Sequence, residues 1–237
     1  MLLKSDSLSD IGRQRKRNED CCYANPATGL FIVADGMGGH PAGEVASKLA
    51  VETLRELLET AEVIKNTQQL PQRIEQALQQ TSQTIIRAGQ KHPQWLGMGT
   101  TAAVVMITEG QAFIANVGDS RIYLLHNGEL RQCSIDHNPT EPVLCHGTVL
   151  NLSNILTQAL GIEQPLEPCL RQFSLQAGDR LLLCTDGLNN MLSDADIRLL
   201  LQTESLQEIC HQLVALANQR GGHDNVSVIV VDLLAEL

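Results

Sequence analysis

Three aspartates stand at the ends of apolar segments, where their carboxylates could bind a metal ion. Asp35 follows the apolar run Leu30–Ala34, and three of the next four residues are glycines. Asp186 follows a second apolar run in the same way, and Asp224 precedes a third. Apolar runs of this length with β-branched members predict buried strands, so the carboxylates would be fixed at a sheet rim. The glycines leave the backbone free to approach an ion or a phosphate closely.

A fourth carboxylate lies beside a basic cluster near the start of the chain. Four of the 17 basic residues fall within positions 13–17, and Asn18, Glu19 and Asp20 follow directly. An isolated run of this kind is typical of a solvated turn. Here cations and carboxylates are presented together, which suits a site that holds both a metal and a phosphate.

The order of strands permits these carboxylates to meet. Asp35 and Asp186 follow predicted strands, whereas Asp20 and Asp224 precede them. In an antiparallel sheet the end of one strand and the start of its neighbour share a rim, so all four can lie at one edge. Clustered carboxylates repel one another unless they are protonated or bound to a cation.

The chemistry of the donors indicates which cation. All-oxygen ligation favours Mg²⁺ or Mn²⁺ over zinc. Two such ions roughly 3.5–4 Å apart would convert water into a hydroxide-like nucleophile and hold a phosphoester for in-line displacement. A bridging carboxylate is needed for this arrangement, and Asp35 is the candidate, with the carbonyl of Gly36 as an adjacent ligand.

The remaining pattern predicts an α+β fold with antiparallel sheets. Two amphipathic helices precede several strands without a regular alternation of strand and helix, which argues against a doubly wound parallel fold. Asn127-Gly128 predicts a tight hairpin. The last strand is too apolar to be an exposed edge. Helices are predicted at about 42–61, 70–89, 195–201 and 206–217, and strands at 100–108, 111–117, 122–126, 170–175, 179–184 and 226–233.

Composition excludes several classes of function. The net charge of −10 argues against general binding of nucleic acid or an anionic membrane, and an aromatic content of 3% argues against base-stacking platforms. The seven cysteines form no Cys-x-x-Cys pair, so free thiols are favoured over disulfides or a zinc site. A hydrophobic content of 43% predicts a folded core. The chain shows no secretory signal or long apolar stretch and is predicted to be cytoplasmic.

Five motifs in order make the chain resemble the metal-dependent serine/threonine protein phosphatases of the 2C type, in their bacterial stand-alone form. The motifs are Arg15-x-x-Asn18-Glu19-Asp20, Asp35-Gly36-Met37-Gly38-Gly39-His40, Gly118-Asp119-Ser120-Arg121, Thr185-Asp186-Gly187-Leu188 and Gly222-His223-Asp224-Asn225. The resemblance implies a four-layer α-β-β-α sandwich, with two antiparallel sheets flanked by helices and a dinuclear metal site at one rim. It implies one catalytic domain over residues 1–237.

The resemblance also implies roles for the metal ligands. Asp35 would bridge two metals, and Asp186 and Asp224 would complete the first. Asp20 would hold the second, directly or through water, with Glu19 beside it and the Gly36 carbonyl as a further ligand. Asp119 matches a ligand of a weaker third metal, although an aspartate there also suits a simple turn cap. Asn225, next to Asp224, would support the site from behind the ligands.

Two further roles concern the substrate. Arg15 would bind the phosphate, since a guanidinium matches phosphate oxygens bidentately. His40 would protonate the leaving seryl or threonyl oxygen, which imidazole can do near neutral pH. The alternatives are a solvated Arg15 and a His40 that caps a helix start. No cysteine lies in a phosphate-binding loop, which disfavours a cysteine phosphatase.

One departure from the family pattern is a shortened flap at about 136–158. Family members usually have a longer segment between Asp136-His137 and Ala159-Leu160-Gly161, and many have an arginine where this chain has Gln158. The expected reaction is attack of a metal-bridging water or hydroxide on phosphoserine or phosphothreonine of a protein substrate, by a monomer. The short flap keeps open a phosphatase of small metabolites or nucleotides, and a silent phospho-binding module is the second alternative.

Overall fold

The computed structural model describes residues 1–38, 42–60, 63, 67–139, 143–145, 148–150 and 155–235. Two five-stranded antiparallel sheets face each other. The first has the order β1-β12-β11-β6-β7, and the second has the order β10-β5-β4-β3-β2. The strands are β1 (Leu2–Asp10), β2 (Asp20–Asn25), β3 (Leu30–Asp35), β4 (Ala102–Thr108), β5 (Gln111–Val117), β6 (Arg121–His126), β7 (Glu129–Gln132), β8 (Val143–Cys145), β9 (Thr148–Leu150), β10 (Cys169–Ser174), β11 (Arg180–Cys184) and β12 (Val226–Leu234).

Helices cover the outer faces of both sheets. They are α1 (Gly43–Leu58), α2 (Leu70–Lys91), α3 (Asp186–Asn189), α4 (Asp194–Leu200) and α5 (Leu206–Gln219), with short 3₁₀ turns at Thr67–Gln69 and Pro93–Trp95. One apolar cluster fills the space between α1, α2 and the second sheet. A second cluster lies between the two sheets, and a third lies between the first sheet and α3–α5. Three apolar interfaces therefore separate four layers.

The sequence signals explain why these elements form. The apolar stripe of α1 is buried against the sheet at Ala46, Ala50 and Leu54. Asn127 and Gly128 both have positive φ, of 51° and 81°, as the tight turn between β6 and β7 requires. β12 pairs with β1 on one side and with β11 on the other, so its apolar residues are interior, as predicted.

Several boundaries differ from the sequence-based expectation. Ala42 has a left-handed φ of 54°, so α1 begins at Gly43 rather than at 42. Thr100 forms isolated bridges to Gly36 and Leu160, and β4 starts only at Ala102. The hairpin at Asn127-Gly128 implies the strand β7 but not its bounds, whereas the short helix α3 and strands β8 and β9 have no counterpart in the sequence-based prediction. Six cysteine side chains are described and all are free thiols, as expected.

Candidate active site

Asp20 and Asp35 face each other across the β2–β3 pair. Their Cα positions are register partners at the end of that ladder. One carboxylate oxygen of Asp20 accepts hydrogen bonds from the hydroxyls of Thr185, at 2.9 Å, and Ser227, at 2.7 Å. The other oxygen is buried and has no hydrogen-bond partner. The two hydroxyls fix one side of the carboxylate and leave the other free for a ligand.

The backbone of Asp35 is held on both sides by two threonines. Its N–H donates to the hydroxyl of Thr101 at 3.0 Å. Its carbonyl accepts from the Thr101 N–H at 2.8 Å and from the Thr100 hydroxyl at 2.8 Å. The Thr101 hydroxyl also pairs with that of Ser120 at 2.7 Å. This network connects the Asp35 corner to the turn that carries Asp119.

Asp186 and Asp224 are brought together by a close approach of two backbones. Asp186 begins α3, and a Cβ on the next residue, Gly187, would lie 1.9 Å from the carbonyl oxygen of Asn225. Only glycine permits this contact. One oxygen of Asp186 accepts from the Asn190 amide at 3.1 Å, whereas its other oxygen is buried without a partner.

Arg15 lies beside these carboxylates. Its guanidinium donates to Asp224 at 2.5 Å, and its side chain is 40% exposed. The loop that carries it is tied to the Asp224 loop by a hydrogen bond from Arg13 N–H to the Gly222 carbonyl, at 2.7 Å. A Cβ on Gly38 would lie 2.7 Å from the guanidinium, so this glycine leaves room for Arg15.

Glu19, Asn225 and Gly36 connect the segments behind the carboxylates. The Asn225 side chain accepts from the Glu19 N–H at 2.8 Å and donates to the carbonyls of Ile11 and Arg17, each at 2.9 Å. The Gly36 N–H donates to the Glu19 carbonyl at 3.0 Å. Asn225 therefore holds the basic loop in place.

The electrostatics of the cluster favour a bound cation. Burial, together with neighbouring carboxylates, raises the pKa of Asp20 to about 7 and that of Asp35 well above its usual value. Burial and Asp224 also raise the pKa of Asp186. Burial and Asp186 raise the pKa of Asp119 to about 7. Each carboxylate is destabilised in its ionised form, and a cation would relieve that cost.

The donor set fits hard divalent cations. Two buried carboxylate oxygens, on Asp20 and Asp186, lack any partner, and the surrounding donors are all oxygens. Within the described ranges, no three His, Cys, Asp or Glu side chains form a compact ready-made cage. The carboxylates instead surround a cleft, and the one on Asp224 is paired with Arg15.

The cleft has a volume of about 700 Å³ and is lined by half of the predicted site residues. Asp35, Asp119, Asp186, Asp224 and Arg15 all line it. Asp20, Glu19, Gly36 and Asn225 lie behind this lining, in the contacts given above. His40 lies outside the described residues, so its role stays a prediction.

Sequence reasoning missed the residues that aim the carboxylates. Thr101 and Asn190 line the cleft, and Thr185 and Ser227 bond to Asp20. Their only sequence signal is a small hydroxyl or amide residue next to a strand end, which occurs at many structural turns as well. His223 also lines the cleft and was given no role.

Gln158, which replaces the arginine of many relatives, bonds within its own loop. Its amide donates to the Pro165 carbonyl at 3.4 Å and accepts from the Glu167 N–H at 3.1 Å. Of the predicted flap, residues 140–142, 146–147 and 151–154 lie outside the described residues. The backbone of β8 pairs with that of β9 between them.

Comparison with known proteins identifies the family. The sequence model of the family described as "Protein phosphatase 2C" matches residues 12–226. A serine/threonine phosphatase stp of Listeria innocua is 35% identical over 241 residues, covering 97% of this chain and 96% of the relative. The crystal structure of the Mycobacterium tuberculosis serine/threonine phosphatase PstP/Ppp superposes with a TM-score of 0.88 at 34% identity, covering 99% and 100% of the two chains.

A further solved structure contains metal. The catalytic domain of the serine/threonine protein phosphatase PstP in complex with two manganese ions has a TM-score of 0.85, with 34% identity and 99% coverage of both chains. The fold and the acidic cleft of this chain define a metal-dependent phosphatase built on a four-layer sandwich. The chain belongs to the protein phosphatase 2C family.

Family membership confirms several predictions made from the sequence. The fold class, the enzyme class and a Mg²⁺ or Mn²⁺ cofactor are confirmed. No helix among the described residues has both the length and the apolar character needed to span a bilayer. The individual roles of the site residues and the extent of the single domain stay predictions.

Proposed function

We propose that this chain hydrolyses phosphoserine and phosphothreonine in proteins. The observation that carries the proposal is the convergence of remote carboxylates around one cleft, next to an arginine. Asp186, which lines the cleft, and Asp20, which lies behind its lining, each have a buried oxygen without a partner. This combination serves both requirements of phosphate-ester hydrolysis, a divalent metal and a group that binds phosphate. The relatives that carry the names of serine/threonine phosphatases support the same substrate class.

Two divalent ions would be held by the carboxylates of Asp20, Asp35, Asp186 and Asp224 and by the carbonyl of Gly36. Asp119, on its own turn with a raised pKa, would contribute to a third. When bound, such ions neutralise phosphate charge and activate water at neutral pH. Asp35 is close enough to the other carboxylates for Asp20, Asp186, Asp224 and Asp119 all to raise its pKa, which supports its assignment as the shared ligand.

The protein's own groups position and neutralise the substrate. Arg15 would exchange its contact with Asp224 for the phosphate oxygens, which a guanidinium binds through two parallel hydrogen bonds. The threonine network keeps Asp35 fixed while charge develops on the phosphoryl group. His40, by its place in the sequence motif, would give its proton to the leaving seryl or threonyl oxygen.

The surroundings of the enzyme are part of the proposal. We infer that it acts as a monomer in the cytoplasm on phosphorylated proteins, without nucleic acid or membrane as a partner. The net charge of −10 supports the absence of a polyanionic partner.

A manganese-supported phosphatase assay tests the proposal. The intact chain should release phosphate from phosphothreonine peptides, and Asp35→Ala should reduce kcat on the order of a thousandfold, since metal stabilisation supplies several kcal/mol. Glu129→Ala is the matched control, because its carboxylate is exposed and contacts only Arg198 across 3.4 Å. Equal rates for wild type and Asp35→Ala would contradict the assigned site.

The same assay separates the alternatives. A strong preference for small phosphorylated metabolites over peptides would favour the metabolite phosphatase. No phosphate release from any substrate with Mg²⁺ or Mn²⁺ would favour a silent binding module. His40→Ala should slow phosphopeptides more than aryl phosphates, because only the alkyl oxygen needs a proton to leave. Equal losses on both would remove it as the acid.

A further inference from the structure

Part of the lining of the acidic cleft is apolar. Met37, Ile155, Leu156 and Met191 line the same cleft as the carboxylates, and we call these four residues the apolar wall. Ile155 is 54% exposed, although it is a large aliphatic residue. Ile155 lines the cleft that a phosphoester would enter, so a bound substrate can contact it.

Ile155 and Leu156, two residues of the apolar wall, are anchored to a different part of the carboxylate rim from Arg15. Thr157, next to Leu156, donates its N–H to the His137 carbonyl at 2.8 Å, and the His137 N–H donates to the Gly118 carbonyl at 3.0 Å. This chain of bonds ties Ile155 and Leu156 to the Asp119 turn. The loop of Arg15 is tied instead to the Asp224 turn through Gly222. When Arg15 binds the phosphate, the apolar wall therefore remains available to another part of the same substrate.

The chemistry of the apolar wall selects among substrates. A sugar phosphate or a nucleotide presents hydroxyls and ring nitrogens around its phosphate, and burying these polar groups against thioether and aliphatic surface costs free energy unless they find hydrogen-bond partners. A peptide presents side chains within reach of its phosphorylated residue, and an aliphatic one would lose its hydration against Ile155 and Leu156.

Resting on the proposed function, we propose that the apolar wall binds an aliphatic side chain close to the phosphorylated residue. The preferred substrates are then phosphoproteins with Leu, Ile, Val or Met within two positions of phosphoserine or phosphothreonine. Arg15 and the metals held by the carboxylates would bind the phosphate, and the apolar wall would bind the side chain of a neighbouring residue.

The test compares phosphothreonine peptides that differ at one position. Four peptides of otherwise serine-rich sequence each carry a single Leu, at position −2, −1, +1 or +2 relative to phosphothreonine. A fifth peptide has serine at all of these positions. With wild-type enzyme and Mn²⁺, at least one Leu peptide should exceed the serine peptide in kcat/KM by about five- to tenfold, as expected for partial burial of a Leu side chain. Equal values for all five peptides would overturn the inference and leave the proposed function intact.

Substitution of Ile155 shows whether this preference arises at the apolar wall. Ile155→Ser should bring the ratio of Leu to serine kcat/KM close to one, whereas Ile155→Leu should preserve it. The ratio compares two substrates on one variant, so a general loss of activity cancels. Leu199→Ser is the control, because Leu199 is 69% exposed on α4 and outside the cleft, and its ratio should match the wild type.

Each remaining outcome has a distinct meaning. An unchanged ratio in Ile155→Ser would overturn the assignment to the apolar wall. Faster turnover of serine phosphate or a sugar phosphate than of every peptide would also overturn it. No turnover of any phosphopeptide by wild type, with Mn²⁺ present, would contradict the proposed function itself.

Discussion

Hydroxyl groups fix the backbone of Asp35 and the carboxylate of Asp20, two of the proposed metal ligands. The Thr101 side chain accepts from the Asp35 N–H and pairs with the Ser120 hydroxyl, so one atom connects two ligand-bearing turns. The hydroxyls of Thr185 and Ser227 both donate to one carboxylate oxygen of Asp20 and so fix its orientation. These residues touch neither phosphate nor metal in the proposed site, and they act by fixing the geometry of those that do.

Thr101→Val is expected to loosen Asp35. Valine has the same shape but no hydroxyl, so the Asp35 N–H and the Ser120 hydroxyl lose their partner in a buried site. The Mn²⁺ concentration for half-maximal activity should rise by about tenfold, the lower end of what outer-shell substitutions cause. Titration of phosphatase activity with Mn²⁺ measures this shift.

Thr84→Val is the control for that substitution. The Thr84 hydroxyl bonds only to the Gln80 carbonyl within α2, so the manganese requirement should stay at the wild-type value. A Thr101→Val enzyme that reaches half-maximal activity at the wild-type manganese concentration would remove Thr101 as a positioning residue.

Among individual residues, the sequence indicates the aspartates that line the cleft better than the hydroxyl residues that hold them in place. An aspartate between an apolar run and a glycine is a recognisable signal, and Asp35, Asp186 and Asp224 all line the cleft. Thr101 and Ser227 carry no comparable signal, because a hydroxyl residue at a strand end is common and its partner is remote. The bond between Ser227 and Asp20 spans 207 positions, a pairing that only the folded topology creates.

The position of α3 against β12 sets the spacing of Asp186 and Asp224, two of the proposed metal ligands. Gly187 lies on the Asn225 backbone, where a Cβ would stand 1.9 Å from the carbonyl oxygen. Asp186 and Asp224, the residues just before these two, are held side by side by this contact. Helix α3 was not predicted because four residues are too few for a periodic pattern.

Gly187→Ala is expected to separate these two elements. A backbone atom cannot give way as a flexible side chain does, so the unfolding free energy should fall by about 3 kcal/mol, at the upper end for overpacking. The affinity for Mn²⁺ should fall as well, because Asp186 moves away from Asp224. Urea denaturation and manganese-dependent activity report the two effects.

Gly178→Ala separates the steric effect from backbone strain. Gly178 has a φ of 94° but no atom within 4 Å of its potential Cβ. The substitution should cost only about 1 kcal/mol of left-handed strain and leave manganese affinity unchanged. If Gly187→Ala behaved like Gly178→Ala in both measurements, the close contact would not determine the ligand spacing.

Elements were predictable where local chemistry decides them. The Asn127-Gly128 turn and strand β5 (Gln111–Val117) were predicted as the structure has them. The register that places Asp20 opposite Asp35 was not predictable from local sequence, because it depends on how β2 pairs with β3. The sequence permitted a common rim, and the strand pairing determines which carboxylates are neighbours on it.

At the scale of the whole molecule, the three apolar clusters stabilise the fold, whereas the buried carboxylates of the acidic site lower its free energy of unfolding. Burial and mutual repulsion raise the pKa of Asp35 well above its usual value. In the unfolded chain the same carboxylate is ionised and hydrated. Folding without metal at neutral pH must therefore either protonate Asp35 or bury its charge, and both cost free energy. A bound cation removes that cost, so metal and fold should stabilise each other.

Removal of metal should therefore reverse the stability order of wild type and Asp35→Asn. In EDTA at pH 7.5 the variant should be more stable in urea, because a neutral amide replaces a carboxyl that costs free energy when buried. With Mn²⁺ at a hundred times its Kd, wild type should gain about 2.7 kcal/mol, whereas the variant, which lacks the central ligand, should gain little. Glu129→Gln, exposed and outside the cleft, should show the full wild-type gain. A wild-type protein that unfolds at the same urea concentration with EDTA and with Mn²⁺ would show that these carboxylates do not hold metal in the folded state.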